Sequence, residues 1–415
     1  MLLSSLSPKR SLINKEISNI VLLSTASCIS LIGTSIYNFA IGLYVLRLTG
    51  SGLSFATTLV LGIISAILVN PFAGALADRL NKKILTIVTD TLNGLLLIGI
   101  YLLTTKYTLN LPMIYVSTLF LNIFTTIYGI SIETAKPNLV SSEKLLSMNS
   151  ISKIIDASSS IIGPMLGGIV FAFFNIRVFI LINGFSFILS ALLHLFIDFK
   201  FNYNNCEVKD KLNLFADILE GIKYLKDKKN IISMFGIYIA LNFFLGLSIS
   251  VPMPYIINNV LKLNAKFFGI IEAAFPVGMI CGALIIKKIM GKYSYTKIIK
   301  FSSILLSACM AAIGISVILN YKIHIASFYL IYYILITISA GTAISFIDIP
   351  IFYILQQTIP DNFRGRVLSL GISIAKMVLP FALIMAGALI NIVPTYTLSI
   401  VGGVGLCIFS ILYIK

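Results

Sequence analysis

Twelve runs of mostly apolar residues follow one another along the chain, and they limit its fold more than any motif does. An α-helix needs about 20 such residues to cross a bilayer, and a barrel strand needs about 10. Lipid offers the backbone no hydrogen-bond partners, so only helices and closed barrels can span it. Because the runs are too long for barrel strands, the sequence predicts an all-α polytopic membrane protein with twelve transmembrane helices. The runs lie at 18–48, 51–77, 84–105, 111–135, 150–174, 178–199, 230–259, 265–287, 297–320, 323–350, 364–390 and 394–414.

The strongly basic balance of the chain, a formal net charge of +16, is explained by membrane topology. With residue 1 on the inner side, most Lys and Arg residues fall in the inner loops, and Lys376 lies within a span. The outer loops hold only Arg47, Lys106, Arg177, Lys262, Lys266 and Lys322. This is the positive-inside pattern, which predicts a plasma-membrane protein with both termini in the cytoplasm. The excess charge also attracts anionic lipid, and no nucleic-acid partner is expected.

Two features recur half a chain apart. A charged loop closes the second run, where Asp78 precedes a group of cations, and a weaker copy at 282–288 follows 208 residues later. The fifth and eleventh runs each carry a central proline, Pro164 and Pro380, at an offset of 216 residues. Parallel repeats of this kind are typical of transporters whose two halves rock about a central cavity. The sequence therefore predicts two pseudo-symmetric six-helix bundles.

The predicted domain organisation is an N-terminal bundle at 1–200, a cytoplasmic linker at 201–229 and a C-terminal bundle at 230–415. Apolar residues recur in the linker at helical spacing. They are Leu212, Phe215, Ile218, Leu219, Ile222 and Leu225. We expect them to form a short amphipathic helix that lies on the cytoplasmic face of the membrane.

Three motifs carry a resemblance to a known family. Gly74-x-x-x-Asp78-Arg79-x-Asn81-Lys82-Lys83 is similar to the signature of the loop between spans two and three in the major facilitator superfamily, with Asn81 at its usual Gly. Gly163-Pro164-Met165-Leu166-Gly167-Gly168 resembles the span-five motif of drug/proton antiporters. The segment 360–367 resembles the start of span eleven in the macrolide-efflux and enterobactin-exporter branch. The resemblance covers essentially the full length, and it implies the major facilitator fold and an antiporter of a bacterial plasma membrane that confers antibiotic resistance.

The charged loop predicts a contact between two helix ends. Asp78 lies where the second run ends, and its carboxylate can approach the first turn of span eleven, where exposed amides carry partial positive charge. We predict a latch that holds the two halves together on the cytoplasmic side while the cavity faces outward. Its members are Gly74, Asp78, Arg79, Lys82, Lys83, Arg364 and Arg366. The alternative is a solvated charge cluster that only sets topology.

Span five carries a surface of small residues. Gly163 and Gly167 are four residues apart, and Gly168 widens the bare face, so another helix can approach closely. Pro164 removes one backbone hydrogen bond and bends the helix. We predict that these four residues form a gate that limits leakage through the centre, and ordinary close packing is the alternative.

Charged residues within the spans are the remaining pointers to a substrate or proton site. Lys376 lies about 18 Å beyond Arg364 along the helix, near the midplane, with Asp348 or Glu272 as expected partners. Asp156 is expected to pair with Lys153, and Glu133 with Lys136. The candidates for binding substrate or protons are Glu272, Asp348, Lys376, Asp156, Glu133, Asn38 and Tyr37. A buried structural network is the alternative.

Other polar groups receive weaker interpretations. Asp90 on span three is expected to be a structural partner of the basic loop, and His194 and His324 near span ends are read as incidental. Span one carries no acid, unlike that of many antiporters of the family, so the site of proton coupling stays open.

The function predicted from these features is secondary active export. We expect the chain to move bulky apolar molecules, such as macrolide-like drugs, out of the cytoplasm in exchange for protons, as a monomer. An exporter of siderophores or other anionic, peptide-like metabolites is an alternative, with Lys376 as the recognition residue, and a non-transporting immunity or sensor protein is another. The sequence carries no P-loop that would indicate ATP drive. It also shows no metal-ligand cluster or nucleophile–base set, so no enzyme, cofactor or metal site is expected.

Overall fold

A computed structural model describes residues 6–49, 52–173, 175–202, 214–263, 265–320, 325–390 and 392–414, and within these ranges some side chains, such as those of 6–14 and 168–173, are not included. The first part contains α1 (Leu6–Thr49), α2 (Gly52–Arg79), α3 (Lys82–Lys106), α4 (Leu111–Leu139), α5 (Ser142–Phe173), α6 (Ile176–Leu195) and α7 (Leu214–Lys226). The second part contains α8 (Lys229–Leu245), α9 (Pro252–Tyr255), α10 (Ala265–Met290), α11 (Tyr295–Leu319), α12 (Ala326–Thr358), α13 (Asp361–Leu389) and α14 (Thr395–Tyr413).

The all-α prediction is confirmed for the described ranges, where a helix covers most of each of the twelve apolar runs. Ten of the described stretches are long and apolar enough to cross a membrane. They lie in α1, α3, α4, α6, the segment Lys229–Val260 and α10 to α14. The other two runs lie in α2 and α5, which are 28 and 32 residues long and only partly described at the side-chain level.

Asparagine side chains fix the start of three of these helices. Asn81 accepts a hydrogen bond from the backbone amide of Lys83 at 3.0 Å and so caps α3. Asn110 caps α4 in the same way, and Asn175 caps α6. An N-cap side chain satisfies one of the amides that the first helical turn leaves without a partner. Asn81 therefore gives the charged loop a defined exit into α3, at the position where the family signature has Gly.

The segment Lys229–Val260 is a helix interrupted twice by wider turns. π-helical turns at Gly246–Ser250 and Ile256–Val260 flank the short α9, which contains Pro252 and Pro254. Proline lacks the backbone N–H that a regular helix needs and clashes with the preceding turn. The π turns accommodate this interruption, as such turns often do inside longer helices.

The chain forms two compact units, each discontinuous in sequence. Unit 1 comprises Met1–Met148, Ser158–Asp227 and Leu355–Ser373, and unit 2 comprises Asn149–Ala157, Lys228–Ile354 and Ile374–Lys415. The first turns of α13 thus belong to unit 1, together with α2 and α7. The bundle boundaries at 200 and 230 stay a prediction.

Close packing of one helix pair recurs in both units. In unit 1, a Cβ added to Gly94 of α3 would lie 2.9 Å from the carbonyl oxygen of Gly184 on α6. In unit 2, a Cβ added to Gly314 of α11 would lie 2.7 Å from the carbonyl oxygen of Tyr396 on α14. Small residues allow helix backbones to approach in this way inside a membrane. Each unit therefore joins a corresponding pair of spans, the third with the sixth and the ninth with the twelfth.

Candidate functional site

The carboxylate of Asp78 lies against the backbone of α13. Its Oδ1 accepts a hydrogen bond from the Gly365 amide at 2.5 Å, and its Oδ2 accepts one from the Arg366 amide at 2.9 Å. The Asp78 side chain is fully buried, and the Arg366 Nε lies 3.3 Å from Oδ2. Hydrogen bonds to an ionised acceptor are about twice as strong as neutral ones, and the amino end of a helix favours negative charge. The Asp78 carboxylate thus lies at the amino end of α13, the helix end predicted from the sequence.

Two glycines make this contact sterically feasible. A Cβ added to Gly74 would overlap the Ser369 side chain and the Gly365 carbonyl, and a Cβ added to Gly365 would overlap the Gly74 carbonyl. The same Cβ on Gly365 would also lie 2.6 Å from Asp78 Oδ1. The backbones of α2 and α13 therefore touch directly, and only glycine fits on either side.

The linker helix α7 covers this contact with two acids. Asp217, whose side chain is 2% exposed, binds the Arg79 guanidinium through two hydrogen bonds, one of them from Nε at 3.0 Å. Glu220 accepts a hydrogen bond from Arg366 at 2.7 Å. Tyr224 stacks on Phe363 of α13 with a ring distance of 4.7 Å, and burial raises the pKa of the Tyr224 phenol.

Helical spacing in the linker predicted α7, but it did not indicate that the acids of this helix bind Arg79 and Arg366. The available signal was the three-residue spacing of Asp217 and Glu220, which places both carboxylates on one face of a helix. That face lies opposite the exposed Leu219 and Ile222. In unit 1, α7 is therefore a third element of the contact between α2 and α13.

A second acid, Asp361, organises the neighbouring cations. Its Oδ1 lies 2.6 Å from the Lys82 ammonium and 2.6 Å from the Arg364 guanidinium, and it accepts a hydrogen bond from Asn138 at 3.1 Å. Arg364 also donates to the backbone carbonyl of Thr134 on α4 at 3.1 Å. Asp361 lies within the 360–367 segment that resembles the start of span eleven, and no role in the site was predicted for it. The cations Lys82 and Arg364 thus bind Asp361 rather than Asp78.

Lys83 lies apart from the other predicted latch residues. Its ammonium donates to the backbone carbonyls of Leu195, at 2.6 Å, and Ile197, at 3.0 Å, at the end of α6. Consecutive helical residues point about 100° apart, so Lys82 and Lys83 reach different neighbours. A cation at a helix carboxyl end is stabilised by the helix dipole.

The predicted pair of Glu133 and Lys136 is present at the end of α4. The Lys136 ammonium lies 2.5 Å from Glu133 Oε1, and Gln356 of α12 donates to Glu133 Oε2 at 3.0 Å. A cavity of about 580 Å³ opens beside these residues in unit 1. Its lining includes Asn138, Asn202, Gln356, Gln357, Asp361 and Arg364. This part of unit 1 is polar and is held together by side-chain-to-backbone hydrogen bonds.

The glycines of span five face α1. A Cβ added to Gly163 would lie 2.5 Å from the Ser35 Cβ, and one added to Gly167 would lie 2.9 Å from the Phe39 ring. Pro164 is exposed, and the surroundings of Gly168 fall outside the described side chains. The structure thus packs α5 closely onto α1, and the gating role stays a prediction.

The candidates on span one differ in their accessibility. Tyr37 is 1% exposed and its hydroxyl lies 3.1 Å from that of Ser117, so it belongs to the core of unit 1. Asn38 is half-buried. Of these two candidates, only Asn38 is therefore accessible enough to contact a substrate.

Unit 2 arranges the intramembrane charges differently from the expected pairs. Asp348 is 8% exposed and binds the Lys153 ammonium at 2.6 Å, so the predicted pairing of Asp348 with Lys376 is wrong. Lys376 lies within electrostatic reach of Asp156 instead. Lys376, Asp156 and Glu272 are all exposed. Lys153 comes from the same helix as Asp156 and reaches α12 because its long side chain extends past its own turn.

Asp90 does not contact the basic loop, which corrects the interpretation made from the sequence. It is buried among α1, α3 and α6, where the hydroxyls of Ser30 and Ser190 donate to it. His194, read as incidental, lies beside it with 0% exposure. His324 falls outside the described residues.

The helical membrane architecture and the contact between the end of α2 and the start of α13 are features of polytopic transport proteins. A sequence model of the Major Facilitator Superfamily matches residues 23–382, and the chain belongs to this family. The family predicted from the three sequence motifs is thereby confirmed.

Relatives and solved structures agree with the assignment. Macrolide efflux protein A of Streptococcus pyogenes is 22% identical over 360 residues, 86% of each chain. The uncharacterized MFS-type transporter YfiS of Bacillus subtilis is 26% identical over 72% of this chain and 69% of its own length. An outward-facing bacterial homologue of the iron transporter ferroportin superimposes with a TM-score of 0.74 at 13% identity, covering 95% of this chain and 98% of that chain. The proton:xylose symporter XylE gives 0.66 at 12% identity, over 97% and 96%. The predicted major facilitator fold is confirmed.

Proposed function

We propose that this transporter is a secondary active exporter that moves bulky apolar molecules, macrolide-like drugs among them, out of the cytoplasm in exchange for protons. The observation that carries the proposal is the buried Asp78 carboxylate on the amides of Gly365 and Arg366. The similarity to macrolide efflux protein A over 86% of the chain supports the cargo class.

The free energy of the contact between Asp78 and α13 is the reason to propose a latch. Each hydrogen bond to a charged group contributes about 1.5–3 kcal/mol, so two of them bias the transporter strongly toward the state that joins α2 to α13. Opening on the cytoplasmic side has to break both bonds and leave a carboxylate that water must solvate. A ligand shifts such an equilibrium only by its differential affinity for the two states. Cargo and protons each supply such a differential affinity, at alternating steps of the transport cycle.

The exposed charges of unit 2 are the proposed polar contacts for cargo. Asp156 and Glu272 carry carboxylates in otherwise apolar spans, where charged groups mark transport pathways. A cationic or neutral drug would gain its affinity from apolar area, and the carboxylates would provide the exchangeable charge.

Uptake into everted membrane vesicles tests the proposal. Radiolabelled erythromycin should accumulate when respiration acidifies the vesicle lumen and should leave when a protonophore is added. Asp78→Asn should reduce uptake, whereas Asp227→Asn, an exposed acid at the end of α7, serves as the matched control. Uptake that persists with the protonophore would exclude proton exchange.

The exposed Lys376 ammonium favours a second candidate, export of an anionic metabolite. Its proximity to Asp156 partly neutralises it, which favours the first candidate. Lys376→Met separates the two, because it should abolish export of an anionic siderophore and spare erythromycin. If the wild type exports the siderophore and Lys376→Met abolishes that export alone, the second candidate takes the first place.

A further inference from the structure

A cluster of buried polar side chains lies among α1, α3, α4 and α6 of unit 1 and forms no part of the latch. Asp90 on α3 is 1% exposed. Its Oδ2 accepts hydrogen bonds from Ser190 of α6 at 2.6 Å and from Ser30 of α1 at 3.2 Å. Its Oδ1 is buried and has no hydrogen-bond partner among the described side chains. Among the residues that the structure describes, no Lys or Arg forms an ion pair with Asp90.

The titratable neighbour of Asp90 is His194, whose Nδ1 lies 3.8 Å from Oδ2. That nitrogen lies 2.7 Å from the Ser190 carbonyl oxygen, so it carries a hydrogen and donates it there. The other nitrogen, Nε2, faces the Tyr128 hydroxyl at 3.4 Å. Tyr128 of α4 can donate to Nε2, which makes the ring neutral with both nitrogens used.

A fixed cation stands at the cytoplasmic end of the cluster. Lys83 binds the carbonyls of Leu195 and Ile197, one and three residues after His194. A nearby positive charge disfavours a second one on the imidazole. A neutral His194 leaves Asp90 without a counter-charge. The groups around Asp90 are thus Ser30 on α1 and Ser190 and His194 on α6, with Tyr128 on α4 and Ser27 on α1 on the far side of the imidazole.

An ionised carboxylate in such a place is strongly disfavoured. Taking a charge out of water without a partner costs more than leaving one polar atom unsatisfied. A protonated Asp90 avoids the charge, since Oδ2 keeps its two donors and Oδ1 carries the hydrogen. The neutral acid therefore fits the site, and the anion fits it only when the surrounding helices loosen.

We propose that Asp90 is a proton-binding site of this transporter, and that the proton leaves toward the cytoplasm past His194 when the packing of α1, α3 and α6 loosens. The step moves one proton from the carboxyl group to cytoplasmic water and leaves a carboxylate behind. Asp90 would then be the coupling acid that span one lacks. The coupling part of this inference rests on the proposed proton exchange.

Infrared difference spectroscopy of the purified full chain tests the protonation without any substrate. At neutral pH the wild type should show the C=O band of a buried carboxylic acid, and Asp90→Asn should lose it. Asp227→Asn, at an exposed acid after α7, should keep the band. Ser190→Ala, which removes the 2.6 Å hydrogen bond, should shift the band without removing it. An identical band in the wild type and Asp90→Asn would overturn the proposal.

Proteoliposomes then test coupling, with radiolabelled erythromycin as the probe. Asp90→Asn should lose accumulation driven by a pH gradient and keep exchange of erythromycin at equal pH, whereas a merely structural residue would lose both. If accumulation in Asp90→Asn matches the wild type, coupling through Asp90 is wrong. If the band behaves as expected but wild-type protein moves no erythromycin, the proton site stands and the proposed cargo fails.

Discussion

The Asp361 carboxylate at the start of α13 lies 2.6 Å from the Lys82 ammonium at the start of α3. Two acids, one on each side, therefore join the charged loop to α13. Asp78 belongs to the charged-loop motif, and Asp361 belongs to α13. Each acid takes donors from the other segment, and α7 adds Asp217 over Arg79. This reciprocal arrangement explains why the loop carries an acid followed by cations rather than cations alone.

Replacing Asp78 with Asn should weaken the contact between α2 and α13. An amide side chain has one accepting oxygen, so it leaves the Gly365 or Arg366 amide facing an NH₂ group. A buried unsatisfied donor costs about 1–3 kcal/mol, which corresponds to a shift of about 5–150-fold in the balance of states. Hydrogen exchange at the amides of 365 and 366 measures it, and exchange should accelerate. Unchanged exchange, with Asp227→Asn as the control, would contradict the latch.

Adding one methyl group at Gly365 should destabilise the protein, while the same change further along α13 should not. An alanine at 365 would meet the Gly74 carbonyl and Asp78, whereas nothing lies within 4 Å of a Cβ at Gly387. Overpacking costs about 1–3 kcal/mol, and Gly→Ala in an open helical site stabilises by about 0.5–1 kcal/mol. Thermal unfolding in detergent should show a lower midpoint for Gly365→Ala and an equal or higher one for Gly387→Ala. The opposite order would refute direct backbone contact.

The apolar runs and the loop motif were sufficient to predict the helical architecture and the approach of Asp78 to α13. Both follow from local rules: span length in lipid, and an acid placed at a helix end. Asp361 and Asp217 could not be assigned in the same way. Their partners lie far away in sequence, at Lys82 and Arg79, and no local pattern indicates which of several nearby acids each cation binds.

Neighbours on opposing helices escaped prediction for a related reason. Lys153 stands three residues before Asp156, and that spacing gives no sign that its ammonium also reaches Asp348 on α12. Asp90 lies about two turns inside α3, close enough to Lys82 and Lys83 in sequence to suggest contact. The rotation of the helix turns it toward Ser30 and Ser190 instead. Charge spacing along one helix predicts which face a residue shares, and it does not predict the neighbour on the opposing helix.

A methyl group at Gly163 should separate α5 from α1. Its Cβ would lie 2.5 Å from the Ser35 Cβ, so the two backbones have to move apart. If these helices limit leakage, Gly163→Ala should raise the passive proton permeability of proteoliposomes. Gly129→Ala on α4 is the control, since nothing lies within 4 Å of its added Cβ. Permeability equal in the two variants, together with a lower unfolding temperature for Gly163→Ala, would indicate ordinary packing.

Truncating the two acids of α7 should have unequal effects, because their burial differs. The Asp217 side chain is 2% exposed and that of Glu220 is 33% exposed. Breaking a buried ion pair costs about 3–5 kcal/mol, whereas water screens a pair whose acid is partly exposed, so that its loss costs less. Asp217→Ala should therefore release α7, seen as faster hydrogen exchange along Leu214–Lys226, and Glu220→Ala should change it little. The exchanged pair Asp217→Arg with Arg79→Asp should restore part of the protection. Equal exchange in both single variants would show that the deeper burial of Asp217 does not make its ion pairs the main contacts that hold α7.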